Sequence, residues 1–208
     1  MFNRTQHLKS RLPWNKGRLI GQKAPLSLQE IWSIRTKLQD TGRRRDLALF
    51  NLALDSKLRA CDLLKLRVSD VSSSGSVNTR ATVMQQKTGR PVQFEITGKT
   101  GKSIADWLEH AELCSTDFLF PSRIQGSFHL STRQYSRIVT SWVGDIGLDS
   151  TAYGTHSLRR TKATLLYRKT KNLRAVQLLL GHSKLDSTVR YLGIEIDDAL
   201  EMSEQMEV

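Results

Sequence analysis

The chain has 208 residues, with 32 Lys+Arg against 20 Asp+Glu for a formal net charge of +12, 38% hydrophobic and 25% charged residues. These values exclude wholesale disorder and allow one domain, or one domain with an appendage, around a sizeable core. No run nears the roughly 18 apolar residues of a membrane span, no secretory signal follows the basic N-terminus, and two cysteines, Cys61 and Cys114, suit a reducing cytoplasm rather than a disulfide framework.

Residues 1–25 hold Arg4, Lys9, Arg11, Lys16, Arg18 and Lys23 and no acid, broken by Pro13, Gly17, Gly21 and Pro25. They read as a basic arm or linker. Ser27 with Glu30 forms a capping box, and Leu28, Ile31, Trp32, Ile34 and Leu38 recur at helical spacing until Gly42. A second helix runs from about Arg44 to Leu54, so apolar that it belongs at the centre of the core. A short helix over Ala60–Leu66 follows, then Val68–Val71 and the loop Ser72-Ser73-Ser74-Gly75. Two strand-like runs, Ala81–Gln85 and Val92–Ile96, flank Gln86-Lys87-Thr88-Gly89-Arg90-Pro91 and predict a hairpin with Lys87 near its tip. Helices are expected again at about Ser103–Glu112, Thr132–Ile146, Ser157–Lys169, Leu173–Leu180, Ser183–Tyr191 and Asp197–Met206. The fold class is α+β, mainly α, with one small antiparallel sheet.

Charge is distributed unevenly along this plan. The arm is wholly basic, and residues 194–208 hold Glu195, Asp197, Asp198, Glu201, Glu204 and Glu207 with no base. The body between them carries the positive excess, which attracts polyanions, nucleic acid being the commonest. There is no phosphate-binding glycine loop, no dinucleotide fingerprint and no Cys/His zinc spacing. His7, His110, His129, His156 and His182 stand apart, so a dedicated metal site is not expected.

Singly, the remaining polar residues have ordinary explanations: His156 as part of a helix start, His182 after a C-cap glycine, Lys87 in a turn, Arg59 as a solvated charge. Together, Arg59, Lys87, His156, Arg159, His182 and Tyr191 make a kit for metal-free attack on a phosphodiester. Arginine forks hold non-bridging oxygens as charge builds on phosphorus. A near-neutral histidine trades protons with a tyrosine hydroxyl, a lysine protonates a departing oxygen, and the tyrosyl ester conserves the bond.

The order and spacing of these residues resemble the tyrosine recombinases, the phage integrase family. Leu58-Arg59-Ala60-Cys61-Asp62-Leu63-Leu64-Lys65-Leu66 is similar to the family's first-arginine helix, and Asp70 closes that segment. Lys87 in Gln86-Lys87-Thr88-Gly89 resembles the hairpin lysine, His156–Arg159 the His-x-x-Arg box, and Leu180-Gly181-His182 the Leu-Gly-His box, with Tyr191 nine residues beyond as nucleophile. The resemblance spans roughly residues 26–193. It implies a site-specific recombinase that needs neither metal nor ATP nor any cofactor. Tyr191 would form a 3′-phosphotyrosyl link and free a 5′-hydroxyl, Arg59 and Arg159 would stabilise the transition state, Lys87 would protonate the leaving group, and His156 and His182 would assist.

It further implies double-stranded DNA as partner, a homo-tetramer on paired sites, an accessory DNA-bending protein, and a nucleoid-associated setting in a bacterium or on a phage or plasmid. Lys57 stands two before Arg59, where the family usually has glycine. Most members also carry an N-terminal clamp domain. With only the arm before residue 26, the chain is closer in plan to the compact fimbrial phase-switch recombinases, and binding should lean on phosphate contacts and fall with salt. The expected domains are the arm, 1–25, and a catalytic domain, 26–208, ending in an acidic amphipathic tail, 194–208, in cis or in trans. Lys57, Arg80, Arg90, Arg160, Lys162 and Arg190 are the candidate DNA contacts. Two other classes remain open: a DNA-binding accessory factor without catalysis, and a relaxing topoisomerase of the related type.

Overall fold

The computed structural model describes residues 22–123, 127–194 and 204. Its helices are α1 (Leu28–Asp40), α2 (Arg44–Ser56), α3 (Ala60–Leu63), α4 (Val68–Val71), α5 (Gly98–Ala111), α6 (Thr132–Gly144), α7 (Thr155–Thr170), α8 (Leu173–Leu180) and α9 (Leu185–Leu192). The strands are β1 (Ser72–Ser73), β2 (Ser76–Val77), β3 (Arg80–Met84) and β4 (Pro91–Glu95). The architecture is α+β and mainly α, as the sequence predicts.

The centre is α2, in which every residue from Ala48 to Ser56 is buried. A helix that is apolar all round must be covered on all sides, and α1, α5, α7 and β4 pack around it. Phe50 meets Trp142 of α6 edge-on at 5.5 Å, and the Trp142 indole N–H donates to Asp46 Oδ2 at 3.3 Å. The buried amide of Asn51 donates to Ser103 Oγ and accepts from Arg35 Nε, so its polar atoms are matched. The Ser27/Glu30 capping box forms as expected. A second, smaller cluster lies apart from the main core: Ala163, Val176, Leu180 and Leu192, beneath α8 and α9.

Several boundaries differ from the periodicity. The hairpin strands lie one residue earlier, pairing Ala81 with Phe94 and Val83 with Val92. Gln85 leaves the strand because its N–H donates to the Arg90 carbonyl and its own carbonyl accepts from Gly89 N–H, closing the turn. The serine loop is itself a tiny antiparallel pair, β1 with β2, so the described residues hold two small sheets rather than one. Helix α5 starts five residues early, because Gly98 and Gly101 mask a first turn in which Thr100 is fully buried. The candidate helix Asp197–Met206 lies outside the described residues, apart from Glu204, as does most of the basic arm.

The end of that arm is stitched to the body. Ala24 N–H donates to the Ala152 carbonyl, Leu26 N–H to Thr161 Oγ1, Arg160 Nη1 to the Lys23 carbonyl, and the Gln22 amide to the Arg190 carbonyl at 2.6 Å. The chain therefore reaches α1 by crossing the N-terminal half of α7 and touching α9.

Candidate active site

Arg59 follows the C-terminus of α2, where Lys57 adopts the left-handed conformation, φ 54 and ψ 22. A lysine there is about 1–2 kcal/mol less comfortable than glycine, yet the turn is kept. Its ammonium is buried, donates to the Asp55 carbonyl, and pairs with Glu95 at 2.9 Å. Lys162 of α7 bridges Asp55 and Glu95 at 2.6 Å to each, and Thr97 donates to Asp55 through both its N–H and its hydroxyl. Burial opposes ionisation of Asp55 and Glu95, but the hydrogen bonds from Lys162 and the surrounding donors outweigh it and hold both carboxyls below the ordinary range. Two lysines and two carboxylates thus lock the turn that presents Arg59.

The turn of the β3–β4 hairpin is anchored on two sides. Gln85 Oε1 accepts from Arg59 Nη1 at 2.8 Å and from Thr88 Oγ1 at 3.0 Å, while Gln86 N–H donates to Asp62 Oδ1 and the Gln86 amide to the Cys61 carbonyl. Lys87 lies between these anchors, exposed and free of any hydrogen bond or ion pair among the described residues. Arg59, Cys61, Thr132, Thr155, His156 and Arg159 line one hollow of about 300 Å³. His156 is exposed in the first turn of α7, and Arg159 is buried one turn further on.

The last pieces come from α8 and α9. Gly181 ends α8 at φ +67, and a Cβ there would meet Val92 Cγ2 at 2.4 Å and the Gln85 amide at 3.1 Å, so both its backbone and its space demand glycine. Arg159 Nη2 donates to the Leu180 carbonyl at 3.0 Å. His182 Nδ1 lies 3.1 Å from Thr188 Oγ1, and its ring meets Tyr191 edge-on at 5.3 Å. The Tyr191 ring also lies 5.8 Å from the Arg159 guanidinium carbon and 5.6 Å from that of Arg160.

Electrostatics at this end are unusual. Burial, reinforced by Arg159 and Arg59, pushes His182 down to about 4, and His156, though its surface is exposed, is lowered by partial desolvation of the ring and by Arg159, Arg59 and Arg160. Burial pushes the Tyr191 phenol up to about 12, against the pull of Arg159 and Arg160. Arg159 and Tyr191 are close enough to interact electrostatically, yet neither Arg159 Nη1 nor Tyr191 Oη has a partner at hydrogen-bonding geometry, and both atoms are buried. Unmatched polar atoms of this kind suit a site that receives an anion.

The structure therefore brings Arg59, His156, Arg159, His182 and Tyr191 together, with Lys87 on the hairpin turn tied to Arg59. The candidate DNA contacts divide. Arg80, Arg90 and Arg190 are exposed. Arg160 is buried and holds the Lys23 carbonyl, and Lys162 is committed to Asp55 and Glu95. Lys57 is a correction to the sequence reading: its ammonium lies inside the protein against Glu95, out of a phosphate's reach, because the left-handed turn directs it beneath the hairpin. Gln85, Gln177 and Thr188 escaped notice. Gln177 and His182 exchange hydrogen bonds, His182 N–H to the Gln177 carbonyl and the Gln177 amide to the His182 carbonyl.

The phage integrase family matches residues 26–195. A probable integrase/recombinase of Bacillus subtilis, YoeC, is 29% identical over 82% of this chain and 89% of its own length. A tyrosine recombinase of Pseudothermotoga lettingae is 32% identical over 82% of this chain and 55% of its own length, so the chain spans about half of that protein. Among solved structures, XerA recombinase superposes with a TM-score of 0.72 at 21% identity, covering 89% of this chain and 65% of that one. XerH bound to its difH substrate before cleavage gives 0.69 at 22%, covering 86% and 53%. At these identities the structural likeness concerns the fold. With the family match spanning most of the sequence, the chain belongs to the phage integrase family, the tyrosine recombinases.

Proposed function

We propose that this domain breaks and rejoins double-stranded DNA at specific sites through a 3′-phosphotyrosyl intermediate. The observation that carries the reading is the pair of buried, unmatched atoms, Arg159 Nη1 and Tyr191 Oη, beside Arg59, His156 and His182. A phosphodiester bound there would receive Arg159 Nη1 and the free end of the Arg59 fork on its non-bridging oxygens. Tyr191 Oη attacks phosphorus as the 5′ oxygen departs, its proton passing to a neutral histidine. His182, held neutral, is the nearer acceptor, and His156 lies at the mouth of the hollow. Lys87 on its exposed turn supplies the proton to the 5′ oxygen. The approach of a phosphate dianion-like transition state also lowers the cost of charging these histidines, since it offsets the arginines that now depress them.

Domain limits of 26–208 after a basic arm, with an acidic tail over 194–208, belong to this proposal, as does assembly of four copies on two DNA sites, with an accessory bending protein. The relatives' names and the DNA complexes of XerH support the DNA-cleaving reading. The test is covalent trapping. Nicked duplexes built from inverted repeats flanking the gene should yield a protein–DNA adduct that Tyr191→Phe abolishes with binding retained. Salt-sensitive binding without an adduct would instead favour an accessory factor, and relaxation of a plain supercoiled plasmid would favour a topoisomerase.

A further inference from the structure

Gln85 is buried, 1% exposed, at the meeting point of the three segments that carry the phosphate-binding groups. Its Oε1 accepts from Arg59 Nη1 at 2.8 Å and from Thr88 Oγ1 at 3.0 Å; its Nε2 donates to the Leu180 carbonyl at 3.3 Å. That same carbonyl accepts Arg159 Nη2 at 3.0 Å. Each arginine is thus tied by one end of its fork to a common abutment, the Gln85 amide and the Leu180 carbonyl. Arg159 keeps Nη1 buried and unmatched, and the Arg59 side chain makes no other hydrogen bond among the described residues.

We propose that Gln85 is a positioning residue for the phosphate clamp, setting the angle of the Arg59 fork relative to Arg159. The inference rests on the recombinase reading given above. The chemistry of the position suits a neutral primary amide. It needs an acceptor with two open lone pairs and a donor in one planar group, which an amide supplies and a hydroxyl or thioether does not. A carboxylate would accept the same bonds, but its charge would compete with the phosphate for Arg59. Gly181 leaves the amide its room, since a Cβ there would lie 3.1 Å from Gln85 Nε2 and 3.2 Å from Oε1.

The test is a double-mutant cycle on single-turnover adduct formation by the full chain, using nicked duplexes of the flanking repeats. Gln85→Met should slow adduct formation about ten- to a hundredfold, the loss typical of a misaimed catalytic group, with duplex affinity within about threefold of wild type. In an Arg59→Lys background, where no fork remains to be aimed, the same substitution should cost less than about twofold. Gln85→Asn, which keeps the amide but withdraws it by one methylene, is carried through the same cycle and should behave alike, so a folding failure of the methionine variant does not decide the matter. Equal losses in both backgrounds would overturn the proposal, since Gln85 would then support the hairpin in general. Wild-type rates for both variants would overturn it too. If the wild-type chain forms no adduct, the recombinase reading fails and this inference with it; a wild-type adduct with additive losses removes the inference alone.

Discussion

The Lys57 ammonium lies 2.9 Å from the Glu95 carboxylate, with the lysine side chain 1% exposed and the glutamate 35%. The lysine gives up water almost entirely, so its charge depends on this partner. Burial lowers its proton affinity while Glu95 raises it, and the net direction is down. Removing one member of such a pair leaves an uncompensated charge, which costs more than the pair contributes.

Glu95→Gln should therefore lower unfolding free energy by about 2–4 kcal/mol, somewhat less than the roughly 3–5 kcal/mol of a fully buried pair because Glu95 is 35% exposed. Urea denaturation at neutral pH checks it. A loss under about 0.5 kcal/mol, as for exposed pairs, would mean that Asp55 and water replace the lost contact.

Acid should destabilise the domain in two stages. His182 has a folded value near 4, below its unfolded value, so the stability it confers is present above about 6.5 and drains away as pH falls toward 4. Asp55 and Glu95, also depressed, hold their contribution until pH falls into the ordinary carboxylate range and lose it progressively below that. Urea midpoints measured from pH 7.5 to 4 should already decline by pH 6. In His182→Gln the slope between 6.5 and 5 should flatten; an unchanged slope there would count against a neutral, buried imidazole.

Two glycines with the same backbone conformation should respond differently to alanine. Gly181→Ala meets Val92 and Gln85 as well as the left-handed strain, and should cost about 2–4 kcal/mol and slow DNA cleavage. At Gly193 the nearest atom to an added Cβ is Arg160 Nη2 at 3.9 Å, so Gly193→Ala should cost only the backbone term, about 1–2 kcal/mol. Thermal unfolding of the two variants side by side tests the ranking; equal losses would mean that close packing at Gly181 is unimportant.

The exposed arginines should reveal themselves through salt. Where Arg80, Arg90 or Arg190 meets a phosphate, its alanine variant should reduce the slope of log affinity against log salt by about 0.9. Lys57→Met should leave the slope unchanged, because its charge is already neutralised inside the protein. Titrations at several salt concentrations decide each residue separately.

Much of the fold was legible because it rests on patterns with a local cause. The Ser27 cap, the apolar α2 and the run Leu173–Leu180 follow from side-chain chemistry within a few residues. The candidate site was legible for a different reason: six residues in a set order carried the resemblance; Arg59, His156 and Arg159 line one hollow, Tyr191 lies near Arg159 with His182 against its ring, and Lys87 sits on the hairpin turn. What escaped depends on contacts made far along the chain. A lysine near an arginine looks like a surface charge until Glu95, 38 residues on, closes over it. A glutamine at the end of a strand carries no mark of its bond to a carbonyl 95 residues away. The two glycines of α5 hid a helical turn whose stability comes from burial of Thr100 against α2, a tertiary effect that propensity does not contain.

The small cluster under α8 and α9 has a consequence for how such a domain can work at all. Ala163, Val176, Leu180 and Leu192 form an apolar unit separate from the main core. Units with few buried apolar contacts open at lower free energy than the whole fold. The helix bearing Tyr191 is seated on this smaller unit, whereas Arg59 hangs from α2, buried from Ala48 to Ser56 in the main core. The nucleophile candidate Tyr191 and the Leu180 carbonyl that holds Arg159 thus belong to the smaller unit, while Arg59 belongs to the larger, so opening of the smaller unit would part the two arginines as well as move the tyrosine.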